Sequence, residues 1–115
     1  MYKYIIKNGT IIDGSGAPWY KGDLAISKGK IKKIGKLEGD KAEKVIDAKG
    51  LMVSPGFIDI HTHSDLTLLV NGRAESKIRQ GVTTEVIGNC GSSPAPAYGK
   101  VYEYLQEELK EYKLE

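Results

Sequence analysis

The sequence predicts an α/β chain, with a small antiparallel β unit over residues 1–54 followed by a β-α-β-α run over residues 55–115. Three observations carry that reading. Up to Val53 the apolar residues come in short β-branched runs punctuated by Gly and Asn, which is strand spacing. After Pro55-Gly56, Phe57 to Ile60 and Val82 to Ile87 are near-continuous apolar runs, the pattern of parallel strands buried on both faces. Helical spacing appears between those two runs and after the second.

In the N-terminal half the strand runs are Tyr4-Ile5-Ile6, Thr10-Ile11-Ile12, Leu24-Ala25-Ile26, Ile31 with Ile34, Val45-Ile46 and Leu51-Met52-Val53. Asn8-Gly9 separates the first two and predicts a hairpin turn; Lys28-Gly29 predicts another before Ile31. Gly14-Ser15-Gly16 begins like a dinucleotide-binding fingerprint. Trp19 stands where its third glycine would be and no helix follows, so the segment reads as a loop. In the C-terminal half, Leu66 to Val70 and Ala74 to Gln80 read as helical turns and Val101 to Leu114 as a helix. Along that helix Tyr98, Val101, Tyr102, Leu105, Leu109 and Tyr112 recur at three- and four-residue steps, a stripe that reads as core packing. Glu85, inside the second run, reads as solvent-facing or as an edge residue.

Composition bounds the function. The chain has 115 residues, 40% hydrophobic and 28% charged, in the ordinary range for a soluble globular protein. That length is about half of what a (β/α)8 barrel of roughly 250 residues needs. The formal charge of +2 is too balanced to suggest a nucleic acid or an anionic membrane as partner. It is unevenly spread: residues 1–54 carry eleven basic and six acidic side chains, residues 55–115 six and nine. A single cysteine, Cys90, rules out an intramolecular disulfide and fits a reducing compartment. No run is long enough for a signal peptide or a membrane span, and the expected location is the cytoplasm.

Two short stretches carry chemistry. In Phe57-Ile58-Asp59-Ile60-His61-Thr62-His63, strand alternation would put Asp59, His61 and His63 on one face. Two imidazoles about 6.6 Å apart at Cα can then clamp one ion at about 2.0–2.1 Å. A bare His-x-His is equally compatible with ordinary partly buried histidines. The second stretch is Gly88-Asn89-Cys90-Gly91-Ser92-Ser93, directly after the Val82 to Ile87 run. A lone cysteine is most often a buried small hydrophobe. Past a strand end and between glycines, Cys90 is also a candidate metal thiolate, or a nucleophile with His61 or His63 as its base. Ser92 stands where a Gly-x-nucleophile-x-Gly elbow would have its last glycine, which disfavours the nucleophile.

Taken in order, Pro55 to His63, Gly81-Val82-Thr83-Thr84 and Gly88-Asn89-Cys90-Gly91 resemble the amidohydrolase superfamily, and within it the N-acyl-D-amino-acid deacylases. Asn8 to Pro18 resembles that family's opening, and Val45-Ile46-Asp47-Ala48 its approach to the first barrel strand. The His-x-His approach is shared with dihydroorotases and hydantoinases; Gly-Asn-Cys-Gly narrows the resemblance. It implies a β-sandwich, of which residues 1–54 supply half, and a (β/α)8 metal-dependent hydrolase barrel begun by two βα units in residues 55–115 and incomplete here. It implies zinc, one or two ions, with His61, His63 and Cys90 as ligands, Cys90 standing in for the carboxylated lysine of other relatives. The ion would lower the pKa of a water to about 7 and polarise the amide carbonyl of an N-acyl amino acid.

Further histidines and an aspartate base come later in such proteins, so the 115 residues alone are expected to be inactive and to hold zinc weakly or not at all. The uncovered strand and helix stripe predict a homo-oligomer or a swapped dimer. Two alternatives stand beside this reading: a non-catalytic binding or assembly module with a structural metal site, and a cyclic-amide hydrolase of the dihydroorotase or hydantoinase kind.

Overall fold

A computed structural model describes residues 1–112, and the chain divides into two units, Met1–Pro55 and the segment from Gly56 onward. The first unit is a five-stranded sheet formed by β1 (Tyr2–Ile11), β2 (Tyr20–Ser27), β3 (Lys30–Gly35), β4 (Ala42–Asp47) and β5 (Met52–Val53). Strand order is β3-β2-β1-β4, with β5 also paired to β1. The expected hairpin at Lys28-Gly29 is present: Ser27 faces Lys30 across a two-residue loop, and Lys28 and Gly29 have φ of 52° and 67°. Positive φ at both central residues is what a type I′ turn demands.

The sheet departs from the expected antiparallel unit in two ways. Asn8-Gly9 makes no hairpin. It lies inside β1 as a β-bulge, where pairing with β2 steps from Ile6↔Leu24 to Gly9↔Gly22. Asn8 takes the left-handed conformation there, φ 62°, which Asn tolerates better than most residues. Its N–H donates to Asp23 Oδ1 at 2.9 Å and its Nδ2 to Asp47 Oδ1 at 2.9 Å. Asn8, which with Gly9 reads as a turn, is thus bonded to two carboxylates within a continuous strand.

The sheet is also mixed, because β4 and β5 both run parallel to β1. After β3 the chain returns to the start of β1, where Ala42 faces Tyr2, and a strand entering at that end can only run alongside β1 in its direction. Leu37, in this crossing segment, is fully buried with Ile5 and Ala25, and Tyr2 and Ala42 pack against the three. Its N–H donates to Asp23 Oδ2 at 3.1 Å, so one carboxylate ties both the bulge and the crossing to β2. Ile31, Ile34, Val45 and Ile46 remain between 41% and 59% exposed.

The second unit runs β6 (Phe57–Asp59), α1 (Thr67–Val70), α2 (Glu75–Ile78), β7 (Val82–Glu85) and α3 (Lys100–Glu111), the predicted β-α-β-α order with the first helical stretch in two pieces. Strands β6 and β7 pair in parallel, with Asp59 facing Glu85. Gly56 begins the unit where it must be small: a Cβ there would lie 2.7 Å from Thr83 Cβ on β7. The near-continuous apolar runs are not covered on both faces, since Phe57 is 58% and Ile58 63% exposed. Helix α3 likewise has no fully buried residue: of its apolar stripe, expected as core, Leu105 and Leu109 are half-buried and Tyr98, Val101, Tyr102 and Tyr112 are exposed; Leu114, the expected helix end, lies outside the described residues. No helix among the described residues is long and apolar enough to cross a membrane.

Two outcomes follow. Gly56→Ala should destabilise the second unit by about 1–3 kcal/mol, because Thr83 must move off its rotamer or β6 off β7; a drop of several degrees in the thermal midpoint of the near-ultraviolet signal checks it. Asp47 is held below the usual carboxylate range, chiefly by the Asn8 amide and next by the Lys49 N–H. A depressed folded value means its contribution is complete above the ordinary carboxylate pKa of about 3.9 and is lost as pH falls through the folded value. Urea titrations followed by Trp19 fluorescence should therefore show a smaller fall in midpoint between pH 5 and pH 3, about the carboxylate range, for Asp47→Asn than for the unchanged chain.

Candidate metal centre

Parallel pairing sends the chain out of β6 and β7 at the same edge, with Val86 N–H donating to Asp59 O at 2.8 Å just past the strands. The two stretches singled out in the sequence are the segments leaving that edge. Regular β structure stops at Asp59, and His61 and His63 lie beyond it. Their rings meet edge-on at 60°, with centroids 5.5 Å apart.

Cys90 reaches them from the other segment. Gly88, Cys90 and Gly91 all have positive φ, 84°, 53° and 80°, and Ser92 N–H donates to Asn89 O at 2.9 Å. This is a tight turn in which two of the strained positions are glycine and the third is the cysteine, an uncommon conformation for a residue with a Cβ. Asn89 Nδ2 donates to Val86 O at 2.8 Å and pins the turn to the end of β7. Sγ then stands 3.1 Å from His61 Nε2. Donor atoms of His61, His63 and Cys90 all lie within 4.8 Å of one another, and all three residues are exposed.

That donor set suits zinc: two imidazole nitrogens and a sulfur, which match its borderline-soft character. Tetrahedral ligands at about 2.0–2.3 Å from an ion are about 3.3–3.6 Å from each other, so the 3.1 Å contact needs to open by only a few tenths of an ångström. Beside the trio lies a cavity of about 580 Å³ lined by His63, Asp65, Ser93, Tyr104 and Glu108 among others.

Asp59 does not join the histidines, contrary to the expectation from strand alternation. Its Oδ2 pairs with Lys77 Nζ of α2 at 2.6 Å, and its Oδ1 accepts the His61 N–H at 3.2 Å. Alternation fails because the strand ends at Asp59 itself. The Lys77 ammonium first, and the His61 amide second, hold Asp59 below the usual carboxylate range, and Asp59 in turn raises Lys77.

Three residues that sequence reasoning missed support the trio. Thr62, between the histidines, is buried, and its hydroxyl receives Lys77 Nζ at 2.8 Å and meets Ser64 Oγ at 2.8 Å. Asp65 is buried and accepts Gly88 N–H at 2.7 Å through Oδ1, tying the two segments together, while its Oδ2 is buried with no partner. Lys77 gave no signal beyond being one lysine among fifteen. Glu85, expected to face solvent or lie at an edge, is half-buried at the end of β7 opposite Asp59, with an unpartnered buried Oε2.

Known proteins resemble the chain over most of its length. Over 93 residues the chain is 48% identical to the N-acyl-D-aspartate deacylase of Alcaligenes xylosoxydans xylosoxydans, covering 81% of this chain and 19% of that protein. It is 46% identical over 95 residues to the D-aminoacylase of the same organism, covering 83% and 20%. The crystal structure of Bordetella bronchiseptica N-acyl-D-glutamate deacylase, complexed with zinc and a phosphonate mimic of the tetrahedral intermediate, superposes with a TM-score of 0.81 at 44% identity, over 86% of this chain and 21% of that one. The chain thus spans about a fifth of the length of these relatives. The amidohydrolase family profile matches residues 44–112, which include His61, His63 and Cys90, and the chain belongs to that family.

Proposed function

We propose that His61, His63 and Cys90 hold a zinc ion and that the protein hydrolyses the amide bond of N-acyl-D-amino acids. The observation that carries this reading is the convergence of two imidazoles and one thiol, drawn from two separate segments, to within 4.8 Å. Similarity to three D-specific deacylases supports the substrate class. In the same reading β6 to α3 opens a (β/α)8 barrel, and residues 1–54 are strands of a β-sandwich.

When bound, zinc supplies an activated water and a Lewis acid for the amide carbonyl. The chain's own residues supply the seat. His61 and His63 give neutral imidazole nitrogens, and Cys90 gives a thiolate that offsets part of the cation's charge. Exposure of all three leaves a side open to substrate. The buried residues between and after the histidines, Thr62 and Asp65, hold the backbone so that the donors need not reorganise on binding. The cavity beside His63 has the volume of a small-molecule site.

In the full-length protein, zinc content after dialysis should fall most for Cys90→Ala and the two histidine-to-alanine changes, and stay near the unchanged level for Ser92→Ala; elemental analysis of each variant checks this. In the complete protein, release of free amino acid from N-acyl-D-aspartate or N-acyl-D-glutamate should exceed that from the L-enantiomers and should stop on chelation. Hydrolysis indifferent to chelators but abolished by thiol alkylation would replace this reading with a cysteine hydrolase.

A further inference from the structure

Because β6 ends at Asp59, strand geometry no longer fixes the spacing of His61 and His63, and some other contact must. Val86 N–H donates to Asp59 O at 2.8 Å and Asn89 Nδ2 reaches Thr62 O at 3.5 Å, while the side-chain oxygens of Asp59 and Thr62 converge on one ammonium group. Lys77 Nζ bonds Asp59 Oδ2 at 2.6 Å and Thr62 Oγ1 at 2.8 Å. Asp59 Oδ1 takes the His61 N–H at 3.2 Å. Thr62 is 5% exposed and sits between the two histidines, and its hydroxyl continues to Ser64 Oγ. Lys77 therefore grips the backbone on both sides of His61, once through a carboxylate and once through a hydroxyl.

We propose that Lys77 is a positioning residue for the metal centre, its ammonium group fixing the Asp59 to Thr62 segment so that His61 and His63 converge with Cys90. The proposal rests on the reading of the trio as a metal seat and adds a residue from a different element, α2. An ammonium has three donors and no acceptor, so it can hold a carboxylate and a hydroxyl oxygen together. Charge compensation alone does not account for the arrangement. A cation that merely neutralised Asp59 beside its register partner Glu85 would have no need of the Thr62 hydroxyl, and Glu85 Oε2 is left without a hydrogen-bond partner. The directed contacts favour the histidine segment over the second carboxylate.

Cobalt(II) titration of the full-length protein tests this, read by the thiolate-to-cobalt charge-transfer band and the visible ligand-field bands, with Cys90→Ala as the spectral blank. Lys77→Met should weaken cobalt binding about 10–100-fold and change the ligand-field bands, with the far-ultraviolet circular dichroism unchanged. Lys77→Arg, which can still bridge an acid and a hydroxyl, should recover most of the affinity, and Thr62→Val should shift affinity in the same direction as Lys77→Met by a smaller factor. Wild-type affinity and spectrum in both Lys77→Met and Thr62→Val overturn the proposal. If Lys77→Met fails to fold, Thr62→Val decides by the same criterion. A thiolate band absent from the unchanged full-length protein overturns the metal reading itself, an outcome distinct from loss of the Lys77 effect.

Discussion

Two strands that pair in parallel must finish at the same edge, and everything chemical in the second unit depends on that constraint. Asp59 and Glu85 are register partners, so the segments that follow them leave side by side. Residues twenty-nine apart in sequence, His61 and Cys90, meet at 3.1 Å for this reason. The same constraint sets a problem, since it also brings two acidic side chains together at the strand ends. Asp59 is answered by Lys77; Glu85 keeps one oxygen buried and unpaired.

Exposure alternates through the site in a way that separates two tasks. His61, His63 and Cys90 face outward, while Thr62 and Asp65 are buried and bonded. The outward groups can receive an ion or a substrate, and the inward groups fix the backbone on which they ride. The Gly88 N–H donates to Asp65 Oδ1 at 2.7 Å, a part-buried link that ties the two segments together. Precision in the exposed donors is thereby supplied from beneath them.

Much of the site was legible in the sequence because its signals are local. His-x-His puts two imidazoles two residues apart, and the glycines around a post-strand cysteine announce a turn. Lys77 and Thr62 were not legible, because their role is to contact residues fifteen or eighteen positions away, and nothing in the local pattern encodes that. The placing of Asp59 failed for a related reason: alternation holds only while the strand does, and sequence does not mark its last residue sharply. In the first unit the strands and the Lys28-Gly29 turn followed from β-branched runs and turn chemistry. Asn8-Gly9 misled because left-handed backbone serves a bulge as well as a hairpin, and the choice is made by distant carboxylates, Asp23 and Asp47. The parallel pairing of β4 likewise depends on where Leu37 can be buried, a tertiary fact.

The crossing that carries Leu37 over the sheet also sets an order of events in time. The β2–β3 hairpin closes across two residues, whereas Tyr2 meets Ala42 only after the whole intervening chain has been gathered. Loop-closure entropy rises with the length enclosed, so the hairpin can form early and the β1–β4 ladder must come late. Strand β1 thus begins as an edge, held by β2 alone, and becomes interior only when β4 and β5 arrive. During that interval its far side is an unoccupied template of amide and carbonyl groups, and the nascent chain is most open to pairing with a neighbour just before Leu37 settles onto Ile5 and Ala25.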